Sequence, residues 1–197
     1  MTPLIAEDLL WLLHDDRTGE PLVTRPILDR VLAGAVLLEL TTPTTAETDP
    51  LLTDASARIG DTELRPVELT QRLGRGLRAA LLARLIAAGK VRRENARVLG
   101  VFAVHGWPTT DVLGKQQLRL QLRRVLLDAH AADARTEALI KLLSLVHALG
   151  PQCADWAPEL IEHRAEIQGH RQLCPATVAV VERAVCLTQA ARFTGAA

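Results

Sequence analysis

Val31-Leu-Ala-Gly-Ala-Val-Leu-Leu38 runs for eight residues without a polar side chain. A helix that is apolar on every side must be covered on every side. The run therefore predicts a buried central helix, opening near Pro26 and reaching about Leu40. It is the longest such run in the chain, and a membrane-spanning helix needs roughly 20 apolar residues. Upstream, Thr2-Pro3 supplies an N-cap residue and a first-turn proline for a helix over Leu4 to Leu13, which Asp15-Asp16-Arg17-Thr18-Gly19 ends as a polar turn.

Downstream, residues 41–65 are rich in Thr, Pro and Asp and predict a loop with one helical turn around Asp49 to Ala57. Pro66 restarts a helix on which Leu69, Leu73, Leu77, Leu81 and Leu85 recur every four residues as the buried side. Gly89 ends it. Lys90 to Arg93 and Arg97 to Val104 then read as strands flanking Glu94-Asn95-Ala96, a β-hairpin over about residues 90–105 closed by Trp107-Pro108. Helices follow at about 110–130, 135–149, 155–168 and 175–193. No repeat or linker is visible. The expected fold is mainly α: a single-domain helical bundle, residues 1–197, around a buried central helix with one protruding β-hairpin.

Composition narrows the function classes. Of 197 residues, 48% are hydrophobic and 23% charged, which excludes a disordered chain, and aromatics are only 3%, so the core must be Leu, Ala and Val. Glu7 and Asp8 stand where an export signal would need basic and apolar residues, so a cytoplasmic location is expected. Three cysteines with no CxxC spacing predict reduced, buried, inert thiols. The net charge of zero is uneven: residues 1–64 carry −8, residues 65–97 carry +7 and residues 98–197 carry +1. A basic segment of this kind suits an anionic partner. The Arg, Ala and Leu excess hints at a GC-rich bacterial genome.

That segment centres on Gln71-Arg-Leu-Gly-Arg-Gly-Leu-Arg78. Helical spacing puts Arg72, Arg75 and Arg78 in one stripe opposite the leucines, with Arg84 on the flank of the apolar face. Arg at i and i+3 can grip a phosphate with planar forks; a solvated face explains the same residues. Gly74 and Gly76 each cost about 1 kcal/mol in a helix interior, which predicts close approach of another group. A basic helix before a basic hairpin also fits a winged-helix nucleic-acid regulator, and a hairpin with unpaired edges fits an oligomeric protein-interaction scaffold. Catalytic motifs are absent: no HExxH, GxSxG, GxxxxGK[ST] or GxGxxG occurs. His163, His170, Glu162 and Glu166 cluster, but their polar setting reads as a solvated face. No cofactor, metal or catalytic residue is expected.

Four segments in order resemble the Golgi phosphoprotein 3 family, in its shorter bacterial branch. They are Leu4 to Gly19 with its Asp-x-x-Gly turn, Leu32 to Leu40, the arginine helix with the hairpin ending Val98-Leu-Gly-Val-Phe102, and Trp107-Pro-Thr-Thr-Asp111. Together they span about residues 4–130. The resemblance implies a non-enzymatic module that binds phosphatidylinositol 4-phosphate at a membrane surface and oligomerises through the hairpin, with no nucleic acid expected. It carries the two phosphate-contacting arginines onto Arg75 and Arg78. The family's pocket Trp and further Arg fall on Thr24 and Ala33, so Arg25, Arg30 and Arg72 stand as accessory phosphate-binding candidates. Three to five basic residues, at about 1 kcal/mol each near an anionic leaflet, would hold such a protein peripherally.

Overall fold

The computed structural model describes residues 3–41, 49–60, 64–98, 102–128, 130–153, 157–168 and 172–194. The elements in order are α1 (Ile5–Leu12), α2 (Arg25–Thr41), α3 (Pro50–Ile59), α4 (Pro66–Gly74), α5 (Leu77–Ala87), β1 (Glu94–Val98), β2 (Phe102–Gly106), α6 (Val112–Asp128), α7 (Ala134–Leu145), α8 (Pro158–Gln168) and α9 (Pro175–Thr194). The chain is mainly helical. Among the described residues, no helix is long and apolar enough to cross a membrane.

The apolar run builds α2 as expected. Val31 to Leu38 are all buried, with Leu28 and Leu32 fully so. Burying a side chain of that size contributes roughly 1.5–3 kcal/mol. α1, α4, α7 and α9 pack around this helix. At Gly34 α9 comes close: a Cβ there would stand 2.4 Å from Cγ1 of Val181. α1 is buried along its whole length, including Glu7 and Asp8. Their carboxylates are compensated from three directions. Arg84 Nε meets Glu7 at 2.7 Å, and Arg135 and Lys90 reach Asp8 at 2.6 and 3.3 Å. Glu39 in α2 accepts the Ile5 N–H, and burial raises its carboxyl above the ordinary carboxylate range.

Four expectations need correction. The helix over 66–88 is two helices: α4 stops at Gly74, and Gly76 has φ 74°, so the chain turns left-handed before α5 begins. Only glycine takes that conformation cheaply. The turn placed at Glu94 to Ala96 is strand β1, which pairs antiparallel with β2 in the register Glu94↔Gly106 to Val98↔Phe102. Residues 90–93 instead lie against the 108–111 loop, through the Arg92 N–H on the Pro108 carbonyl and a Val91–Thr109 bridge. The single helical turn after α2 is the full helix α3, capped by Asp49 on the Leu51 N–H; residues 42–48 and 61–63 of that expected loop lie outside the described residues. Of the three thiols only Cys153 is buried, and Cys186 on α9 is exposed.

The Gly34 contact yields a test. Val181 is β-branched and itself buried, so it cannot swing aside. Gly34→Ala gains about 1 kcal/mol of helix propensity but overpacks the α2–α9 contact, and a net loss of roughly 1–2 kcal/mol is expected. Urea unfolding measures it; an unchanged or higher midpoint would contradict this packing.

Candidate functional site

The interruption between α4 and α5 makes the candidate site. Arg75 follows the last residue of α4 with extended backbone (φ −64°, ψ 114°), and its side chain is exposed. Its carbonyl accepts a bond from Arg58 Nη1 at 2.8 Å, and Arg58 is itself paired with Asp54 at 2.8 Å. α3 thus holds the turn from outside. From inside, Gly74 packs against α2: a Cβ there would stand 3.3 Å from the Asp29 carbonyl oxygen. This is the close approach that the glycine pair predicted. Gly76, by contrast, faces open space and is needed for its backbone angle alone.

An open hollow of about 700 Å³ lies over this junction, between the first turns of α2, the α4–α5 turn and Trp107. Arg25 and Arg30 line it from α2, and Arg75 and Arg78 from the turn and α5. Against four lining arginines stands one lining acid, Asp29. Arg78 Nη1 lies 3.7 Å from Asp29 Oδ1, too far for a hydrogen bond, and both side chains are about a third exposed. A pair of that kind is worth only about 0.2–1 kcal/mol. Arg75 has no carboxylate partner among the described residues. Burial pulls the Arg30 guanidinium below its ordinary pKa, which the neighbouring Asp29 charge partly offsets, and Arg30 Nε is buried without a hydrogen bond. Gly76 gives α5 no side-chain cap, and no acidic residue occupies its first turn, so the positive end of that helix adds to the same field.

Four of the five arginines singled out in the sequence therefore converge, although not on one helical stripe. Arg72 is exposed in the last turn of α4 and stays outside the hollow. Arg84, expected on the flank of the apolar face, is bound between Glu7 and Asp49 at 2.7 and 2.8 Å. Of the acidic-histidine cluster near residue 163, Glu162 accepts a bond from Ser144, His163 is exposed and His170 lies outside the described residues. Thr24 and Ala33, at the family's Trp and Arg places, are half-buried and buried, and neither lines the hollow.

The sequence reading missed Trp107 and Asp29. Trp107 reaches the hollow because the chain after β2 docks on the turn before α2. The Gly19 carbonyl accepts the Trp107 N–H, and a Cβ at Gly19 would collide with the Trp107 backbone at 2.1 Å. The indole then stands edge-on to His14, ring centres 6.2 Å apart. Asp15 closes the turn on the Arg17 and Thr18 N–H groups. Asp16 is gripped by Arg119 through two bonds and by Lys115 at 2.6 Å. Burial would raise the Asp16 carboxyl, but these two cations hold it below its ordinary range. Lys115 is fully buried and also donates to the His14 carbonyl at 2.7 Å.

His14 yields a pH prediction. Its Nδ1 lies 2.7 Å from the Leu10 carbonyl, which can only accept, so Nδ1 carries the proton of the neutral ring. Burial lowers its pKa below 6.5, the Leu10 bond opposes this in part, and the nearby Lys115 and Arg78 charges lower it further. The unfolded chain therefore takes up the proton first on acidification. The stabilisation is complete above about pH 6.5 and is lost as the pH falls through the lower folded-state value. The unfolding midpoint should decline between about pH 7 and pH 5, and His14→Gln should flatten that decline; equal declines in both proteins would contradict the assignment.

Among curated proteins, no sequence matches this chain. The family model described as Golgi phosphoprotein 3 (GPP34) matches residues 5–185, beyond the 4–130 over which the segments resembled that family, and the chain belongs to the Golgi phosphoprotein 3 (GPP34) family.

Proposed function

We propose that this protein is a non-catalytic, peripheral membrane-binding module that recognises an anionic phosphoinositide head group, phosphatidylinositol 4-phosphate by family likeness, through Arg75 and Arg78. The observation that carries the reading is the excess of three positive charges around one open hollow. Arginine forks suit phosphate oxygens, and a hydrogen bond to a charged group contributes about 1.5–3 kcal/mol. Arg75 is exposed with no carboxylate partner among the described residues, and Arg78 has only a weak partner to give up. Arg25 and Arg30 add charge from α2 in place of the residues missing at Thr24 and Ala33. Convergence on one hollow favours a compact head group over the extended phosphate backbone of a nucleic acid. Self-association belongs to the same proposal: among the described residues β1 and β2 pair only with each other, and an unpaired strand edge is a template for a partner strand. Several copies would multiply weak membrane contacts through avidity.

Vesicle co-sedimentation tests the site. Phosphatidylcholine vesicles containing phosphatidylinositol 4-phosphate should pull down the protein, less so at high salt. Arg75→Ala with Arg78→Ala should weaken partitioning roughly tenfold or more. Unchanged partitioning of the double variant would refute the assignment.

A further inference from the structure

The hollow already contains an anion of its own. Asp29 lies in the first turns of α2 beside Arg30, and its main chain is fixed by the close packing of Gly74. Its carboxylate is about a third exposed, and it accepts no hydrogen bond from any described residue. It lies 3.7 Å from Arg78 Nη1 and next to a guanidinium whose Nε has no partner. A carboxylate that serves the fold is bonded here whether buried, as Asp8 is, or as exposed as Asp29, as Asp16 is. Asp29 instead lines the hollow between the α2 arginines and those of the α4–α5 turn, beside Arg30 in the chain and 3.7 Å from Arg78.

We propose that Asp29 is a specificity-determining residue, an internal counter-anion that limits how much negative charge the hollow accepts. The inference rests on the phosphoinositide reading above. A single phosphate at Arg75 and Arg78 replaces the weak Asp29 contact with hydrogen-bonded ones. A head group with a second phosphate brings another dianion into the same hollow, whose lining already holds the Asp29 carboxylate. Like charges sharing one hollow repel, and discrimination is commonly built from such a repulsive element. The arginines alone would favour the more highly phosphorylated head group; Asp29 opposes that preference.

Asp29→Asn removes the charge and keeps the shape. Partitioning of both proteins is measured on phosphatidylcholine vesicles containing phosphatidylinositol 4-phosphate, phosphatidylinositol 4,5-bisphosphate or phosphatidylserine, at one ionic strength. The variant should bind the bisphosphate vesicles roughly three- to tenfold tighter, gain less on the monophosphate, and gain least on phosphatidylserine. Asp29→Glu, which keeps the charge, should retain the wild-type ranking, and a thermal melt of each variant confirms folding. An unchanged ratio between mono- and bisphosphate vesicles, or the same gain on all three, overturns the proposal. If Arg75→Ala with Arg78→Ala abolishes binding while Asp29→Asn leaves the ratio alone, this inference fails and the phosphoinositide reading stands. If the double variant binds as the wild type does, both fail.

Discussion

Gly74-Arg75-Gly76 is a short interruption held from two sides. Inside, the absence of a side chain at Gly74 lets the end of α4 rest on the Asp29 main chain; outside, Arg58 bonds the Arg75 carbonyl. The left-handed Gly76 then lets α5 leave in a new direction. An unbroken helix would point its arginines outward along a solvated face, each alone in water. The break places Arg75 on a cap and Arg78 in the first turn of the next helix, both lining the hollow beside the start of α2. Charge that would be screened when scattered becomes a focused field when it lines a concave surface.

The far wall depends on a different kind of contact. The turn at residues 15–19 and the segment after β2 meet backbone to backbone, which needs glycine at positions 19 and 106. Lys115 and Arg119 clamp Asp16 from α6, and the His14 ring supports the Trp107 indole. Trp107 thus stands on a rigid base rather than on a free loop, which a binding surface requires if it is to avoid losing affinity to ordering. α1 is locked in turn by paired charges: Glu7 and Asp8 are buried, and Arg84, Lys90 and Arg135 come to them from α5, the following loop and α7. Two of the nine basic residues at positions 65–97, Arg84 and Lys90, therefore serve the fold.

The sequence was legible where one local rule decides the outcome. The apolar run of α2 could only be buried, and Asp133 caps α7 on the Thr136 N–H as its type suggests. The break at Gly76 was hidden by the leucines themselves. Leu73, Leu77, Leu81 and Leu85 all reach the core, so their four-residue rhythm passes through the interruption and reads as one helix. The two glycines carried the true signal, a close approach at one and a left-handed angle at the other. β1 was misplaced because Glu94-Asn95-Ala96 is polar enough to pass for a turn, while the ladder is fixed by backbone pairing. Trp107 and Asp29 join the site through contacts between segments far apart in the chain, which no local spacing reports.

The account stands on a phosphate being held between two guanidinium groups at this turn. Crystals of the protein grown with soluble inositol 1,4-bisphosphate, the head group of phosphatidylinositol 4-phosphate, test this most directly. The account predicts one phosphate within hydrogen-bond distance of both the Arg75 and Arg78 guanidinium groups, with Arg78 drawn away from Asp29. A head group bound elsewhere on the surface, with Arg78 still facing Asp29, would contradict it.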